Sequence, residues 1–163
     1  MCWDLRKPLH ALAHLKIADE PTFAIDCTRG YKTSAELGAA TQSGEDSQLQ
    51  SVHERTQVRL VCGGAYRSII QLELDVALGR LDCAIKTGIP EEGIGDVSMR
   101  CDNRILAAGC WDSCVRLFHV RTGKKLAVLK QHRASIAAVQ FGKSGQLVCA
   151  SRDKSISIWE IAA

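Results

Sequence analysis

Apolar residues in this chain come in short runs that alternate with polar ones and are separated by turn-forming residues. Near the C-terminus, Leu147-Val148-Cys149-Ala150-Ser151 leads into the polar turn Arg152-Asp153-Lys154. Ile156 and Ile158 then alternate with Ser155 and Ser157 up to Trp159 and Glu160. Alternation with period two on both sides of a polar turn predicts a β-hairpin, because successive side chains of a strand point to opposite faces. The same template fits Leu106 to His119, around Trp111-Asp112, and Leu60 to Glu73, around Tyr66. Phe118 and Leu72 stand where Trp159 stands in the last copy, and the three are spaced 41 and 46 residues apart. That spacing brackets the roughly 40–45-residue period of a four-stranded propeller blade. Helical spacing is nowhere sustained, so the fold class is all-β.

Each hairpin is flanked by further strand-like runs. Phe23 to Cys27, Asp96 to Met99 and Ile136 to Phe141 precede the three hairpins, while Leu81 to Lys86 and Leu126 to Lys130 follow two of them, beyond turns containing Gly79 and Gly123. These runs divide the chain into a unit over residues 18–88, one over 89–130 and a last one over 131–163 that lacks its outer strand. Residues 1–17 form the end of a preceding unit, with Trp3-Asp4 closing a third strand and Leu9 to Leu15 supplying a fourth. From Tyr31 to about Gln57 the chain is rich in Ser, Gln, Glu and Thr with little periodicity. This reads as a long loop inserted into the first unit.

These features resemble the WD-repeat family, whose repeats combine a His in the entering loop, an Asp in the central hairpin turn, a hydroxyl residue in the second strand and a Trp in the third. The last repeat matches with His132, Asp153, Ser151 (or Cys149 at the alternative strand position) and Trp159. The middle one keeps Asp112 but has Phe118 for Trp and no His before Asp96, and the first has Tyr66 for Asp and Leu72 for Trp. The run from Arg104 to His132 resembles the penultimate blade in the branch of that family holding the G-protein β-like and ASTRA-associated WD-repeat proteins. The resemblance is clearest over residues 94–163 and weaker over 1–93.

The resemblance implies a partial propeller of about three four-stranded blades, too few to close, with blade faces left open. It also implies a non-catalytic scaffold for protein-protein interaction, present in nucleus and cytoplasm and tied to chromatin-remodelling assemblies and to maturation of phosphatidylinositol-3-kinase-related kinases. The expected partners are other proteins of a multi-subunit complex, with no direct nucleic-acid contact, no membrane and no cofactor. A G-protein β-like signalling subunit and a metal- or redox-responsive cysteine protein are the competing readings.

Composition narrows the field further. The 163 residues carry a net charge of +3, are 46% hydrophobic and 24% charged, and contain no basic block of the length that marks nucleic-acid patches. No apolar run approaches the roughly 18 residues of a membrane span. The opening Met1-Cys2-Trp3-Asp4 has neither an apolar run nor a small-residue cleavage site, so it does not read as a secretory signal. Eight cysteines fall below the density of disulfide scaffolds, and free, mostly buried thiols are expected.

Each chemical motif meets a structural alternative. Gly142-Lys143-Ser144 has the tail of a phosphate-binding loop, but Ala137 stands where that motif needs Gly and a strand follows. Gly93-Ile94-Gly95 opens a dinucleotide-like pattern that ends on Ser98 with no helix after it. Cys110 and Cys114, with His119 and Cys101, have a spacing zinc accepts, yet no second close pair completes a tetrahedron. His132, Asp153 and Ser151 contain the residue types of a base, its orienter and a nucleophile. What the resemblance implies for them is a structural network joining the entering loop to the hairpin turn. No HExxH, nucleophile elbow or paired-carboxylate pattern is present.

Overall fold

The computed structural model describes residues 15–16, 18–29, 57–75, 78–90 and 93–161. Trp3-Asp4, the run from Leu9 up to Leu15, and the insertion from Tyr31 lie outside the described residues, save that Leu15 is not in a strand and Gln57 opens one. Among the described residues there are eleven strands and no helix. The first sheet is β1 (Thr22–Arg29), β2 (Gln57–Gly64), β3 (Ser68–Asp75) and β4 (Arg80–Gly88), and the second is β5 (Ile94–Met99), β6 (Ile105–Cys110), β7 (Cys114–His119) and β8 (Lys125–Lys130). The third is β9 (Ile136–Phe141), β10 (Gln146–Ser151) and β11 (Ile156–Glu160). Every sheet is an antiparallel meander in chain order. This is the all-β architecture of a partial WD-repeat propeller.

The sheets stack face to face, with β1 against β5 and β5 against β9. The burial pattern of each hairpin follows from how many of its faces are covered. In the second sheet both are, so β6 is buried at all six positions and reads as an unbroken apolar run. Leu106, Ala108, Cys110 and Phe118 pack with Ala24, Val61 and Ile69 of the first sheet. On the opposite face Ile105, Ala107, Val115 and Leu117 pack with Ile136, Val139, Phe141, Leu147 and Cys149 of the third. In the third sheet only the inner face is covered, and β10 alternates accordingly: Leu147 and Cys149 are buried, Val148 is exposed.

Two repeated devices hold neighbouring sheets in register. The first is polar. Asp26 in β1 accepts a hydrogen bond from the Met99 amide at 2.7 Å, Ser98 in β5 accepts one from the Phe141 amide at 3.1 Å, and Asp96 accepts one from the Val139 amide at 2.9 Å. Side chains of one first strand thereby satisfy backbone donors of the next, which would be costly to bury unpaired. The second device is steric. A Cβ on Gly63 in β2 would sit 2.5 Å from Cγ2 of Ile94, and one on Gly109 in β6 would sit 2.5 Å from Cγ2 of Ile136. In both cases the glycine leaves the hollow that the first isoleucine of the next sheet fills.

This packing makes a direct prediction. Gly109→Val should destabilise the protein by about 1–3 kcal/mol through overpacking, and Ile136→Ala in the same chain should recover part of the loss. Chemical denaturation of the two single variants and the double variant measures both effects.

Candidate functional site

Local backbone chemistry builds the turn between β10 and β11. Asp153 accepts the Ser155 amide at 3.0 Å through Oδ1, and Lys154 takes a left-handed conformation at φ 70°. The turn between β6 and β7 repeats this arrangement, with Asp112 accepting the Cys114 amide at 3.3 Å and Ser113 at φ 66°. An Asp that bonds the amide two residues on mimics a backbone turn and tolerates the tight reversal. In both hairpins the carboxylate is therefore fixed, with its second oxygen free to reach elsewhere.

In the third sheet that oxygen reaches the loop before β9. Oδ2 of Asp153 lies 3.1 Å from Nδ1 of His132 and accepts the Arg133 amide at 2.8 Å. The other imidazole nitrogen, Nε2, lies 2.8 Å from the Ser157 hydroxyl, which accepts the Trp159 indole N–H at 2.9 Å. Trp can only donate, so Ser157 accepts from Trp159 and joins it to the imidazole, while the other ring nitrogen carries its N–H toward the Asp153 carboxylate. The His132 side chain is only 2% exposed, so the imidazole is held as a link between loop, turn and β11.

Of the sequence candidates, His132, Asp153 and Trp159 are thus brought together, and the hydroxyl that connects them is that of Ser157. Ser151 bonds elsewhere. It donates to the Ala134 carbonyl at 2.9 Å and accepts the Asp153 amide at 3.1 Å, tying β10 to the same loop and turn through backbone atoms. Cys149, the alternative strand position, is fully buried beside Ser157, and burial pushes its thiol up to about 11 against the lowering bond from Ser157. Sequence reasoning misses Ser157 because it reads as an ordinary outward polar residue of an alternating strand. Its distance of four from Asp153 is the signal, since Arg116 stands four after Asp112.

In the second sheet the turn carboxylate meets an arginine of its own hairpin. Arg116 is buried and meets Asp112 through two bonds, at 2.8 and 2.5 Å. The Arg116 hydrogen bond holds the Asp112 carboxyl below the usual carboxylate range, and Asp112 in turn raises Arg116. Cys110 is pushed up to about 11 by burial, with Arg116 opposing. Asp102 is held low by its bond to Arg100, and Asp153 by the Ser155 hydroxyl and then the Arg133 amide.

The described cysteines differ in burial. Cys62, Cys110 and Cys149 are buried, Cys114 is half-buried, and Cys27, Cys83 and Cys101 are exposed. The expectation of mostly buried thiols is corrected: outward positions of β1 and β4 and the turn after β5 carry cysteine as well. Cys110 faces the first sheet and contacts the Ala108 carbonyl, while His119 is engaged with Thr122 at 3.1 Å. Among the described residues no group of three His, Cys, Asp or Glu comes together in a way that could hold a metal ion.

A second feature lies where the starts of the first strands meet the hairpin turns. Phe23, Gly95, Trp111, Ser135, Ile136, Ala137 and Arg152 line a cleft of about 660 Å³. Trp111 is 44% exposed, lies against Gly93 at φ 93°, where a Cβ would be 2.0 Å from the indole, and sits 5.9 Å from the Phe23 ring at a 42° tilt. A large aromatic surface is thereby held rigid and open to solvent. In the sequence Trp111 reads as a turn residue only, because the glycine that receives it is 18 positions away.

Residues 85–119 and 123–160 match the family model described as WD domain, G-beta repeat. These two segments are WD repeats. The chain is 46% identical over 69 residues to guanine nucleotide-binding protein subunit beta-like protein 1 of Mus musculus, covering 42% of this chain and 21% of that protein. It is 36% identical over 70 residues to ASTRA-associated protein 1 of Schizosaccharomyces pombe, covering 42% of this chain and 19% of the relative. With ASTRA-associated protein 1 of Verticillium alfalfae the identity is 25% over 146 residues, covering 82% of this chain and 36% of the relative. The chain thus spans about one fifth of the mouse and fission-yeast relatives and about one third of the Verticillium one. The two matched repeats contain both fixed-carboxylate turns, Asp112 and Asp153.

The WD-repeat turns can be tested by substitution and by pH. His132→Ala leaves Ser157 and the Asp153 turn without their partner and should cost about 1–3 kcal/mol in urea denaturation. The acid response follows from the lowered carboxylates. A folded-state pKa below the unfolded value of about 3.9 adds stability that is present above that value and lost as pH falls through the folded pKa. The melting temperature should therefore decline below about pH 4, and Asp112→Asn should lower it at neutral pH while flattening that decline.

Proposed function

We propose that this WD-repeat chain is a non-catalytic scaffold that binds other proteins through the cleft around Trp111. The observation that carries this reading is the rigid exposed aromatic pair Phe23 and Trp111 beside Arg152. Trp and Arg anchors with little conformational freedom to lose are the residues that dominate binding energy at protein interfaces. The polar groups a hydrolytic reading would use, His132, Asp153 and Ser151, are consumed by internal bonds. The repeats serve as a frame, and function sits on the surface that the frame presents.

The names of the relatives supply the context. Association with an ASTRA-type assembly is the reading we favour, with a nuclear and cytoplasmic location and with the chromatin-remodelling and kinase-maturation settings that the family branch implies. A G-protein β-like signalling role draws on the name of the mouse relative alone. Affinity purification of the tagged chain with mass spectrometry tests the reading. Arg152→Glu, at an exposed turn position, should remove the co-purifying proteins while leaving the thermal melt unchanged, and Trp111→Ala should remove them with some loss of stability because the indole packs on Gly93 and Phe23. Retention of every partner by both variants would refute the cleft as the binding surface.

A further inference from the structure

One place in the repeat carries a different chemistry in each sheet. The residue that follows the second strand is Ala65 in the first sheet, Trp111 in the second and Arg152 in the third. Each is pinned by its amide to the carbonyl of the residue just before the first strand: Ala65 to Pro21 at 3.1 Å, Trp111 to Gly93 at 3.0 Å and Arg152 to Ser135 at 3.0 Å. The same backbone bond sets the three side chains at corresponding points along one rim of the stack, where a methyl, an indole and a guanidinium follow one another. The first strands add a second row beside them. Phe23, Gly95 and Ala137 are each the extra residue of a β-bulge and have no partner in the ladder, the kind of irregularity that re-aims a side chain next to a binding site.

The cleft between these rows therefore has an apolar end and a charged end. Phe23 and Trp111 form the apolar end. Trp111 belongs to the middle sheet, with a sheet packed against each side, so its open indole does not depend on the ends of the stack. Arg152 is the one charged residue among the described residues that line the cleft. It is exposed, and among the described residues no hydrogen bond or ion pair engages its guanidinium. The adjacent carboxylate is committed inward: Asp153 gives one oxygen to the Ser155 amide and the other to His132 and the Arg133 amide. A free planar guanidinium fits a single carboxylate through two parallel bonds. Phosphorylated segments are met by clusters of arginine, and no second cation among the described residues lines this cleft.

Spacing fixes how the two ends are read together. Trp111 and Arg152 hold corresponding positions in neighbouring sheets, which pack about 10 Å apart, and an extended chain advances roughly 3.3 Å per residue. Given the cleft as the protein-binding surface proposed above, we infer that its occupant is an extended segment of a partner protein in which a large apolar side chain stands about three residues from an aspartate or glutamate. The apolar side chain rests on Trp111 and Phe23, and the carboxylate pairs with Arg152. The order of the sheets gives the segment a direction, with its acidic end over the third sheet. A cationic segment is refused by the same guanidinium.

Selection of short random peptides displayed on phage, with the full chain immobilised, tests this chemistry. The expected result is enrichment of sequences with Asp or Glu about three residues from Leu, Ile, Phe, Tyr or Trp. The same selection on Arg152→Glu, a change at an exposed position that the fold tolerates, should exchange the acidic residue for Lys or Arg. Peptides selected on the parent chain should bind Arg152→Glu about tenfold or more weakly in a fluorescence anisotropy titration. Arg152→Lys should keep the acidic preference at reduced affinity, because a point charge replaces the planar fork. Enriched peptides without an acidic residue, identical peptides from the parent and Arg152→Glu, or no enrichment on the parent overturns the inferred chemistry. The cleft as a protein-binding surface fails by a separate readout, retention of every co-purifying protein by Arg152→Glu and Trp111→Ala.

Discussion

The structure depends on the packing of one sheet's first strand against the hairpin of the sheet before it. A single four-stranded meander has two faces and can cover neither by itself, so its apolar residues gain nothing until a neighbour arrives. Here the neighbour arrives through a small set of repeated atoms: isoleucine over glycine in the middle, and a carboxylate or hydroxyl that receives a backbone amide beside it. The glycine is required sterically, since an added Cβ would fall inside the contact distance of the isoleucine methyl. The amide acceptor is required because the first strand is an edge strand whose donors would otherwise be buried unpaired. Apolar and polar terms therefore select the same register, which leaves little room for slippage between sheets.

Once the sheets are stacked, each hairpin turn is fixed by a carboxylate at the same place, and the second and third sheets satisfy that carboxylate differently. In the third sheet a histidine bridges Asp153 to Ser157 and Trp159, so the link consists of hydrogen bonds spread over four side chains. In the second sheet a single buried arginine reaches back four residues to pair with Asp112 inside the hairpin, and the entering loop is held by the Trp111 amide on the Gly93 carbonyl at 3.0 Å. The exchange is consistent with the other substitutions in that repeat. With no histidine in the loop there is no imidazole to orient, and Phe118 in place of Trp has no N–H that needs an acceptor. A divergent repeat need not leave its turn carboxylate unpaired, because one long side chain of the same hairpin can reach it.

The sequence discloses most of the fold and less of the site, for reasons visible in particular residues. Alternation in Ile156 to Trp159 and the unbroken apolar run from Ile105 to Gly109 are local signals, and they locate strands whose bounds the structure reproduces closely. Ile136 to Phe141 agrees at both ends. The cleft is not legible, because its residues come from five separate segments and none is unusual where it stands. Trp111 looks like a turn residue beside an aspartate, and only the stacked sheets bring it to Phe23 and Gly93. Ser157 is hidden for the opposite reason: it obeys the alternation so well that nothing marks it as half-buried and bonded.

The matched repeats begin within β4 and at Gly123, just before β8, and each ends in or at a third strand, β7 or β11. Sequence repeat and folded sheet are thus out of phase by one strand. Each repeat donates its first strand to the outer edge of one sheet and the next three to the following sheet. A repeat unit cut at its sequence boundaries would therefore hold an outer strand with no sheet to join and a three-stranded sheet with an open outer edge. The chain passes from one sheet to the next inside a single repeat, and Thr87 and Gly123 touch across that passage at 3.5 Å through a hydroxyl-to-carbonyl bond. Covalent continuity and side-chain packing thus bind the same pair of sheets, at the outer strands through the chain and at the inner strands through the isoleucine-over-glycine contact. For this reason stability in such a stack belongs to pairs of neighbouring sheets, and a change at Gly109 is felt by the third sheet as much as by the second.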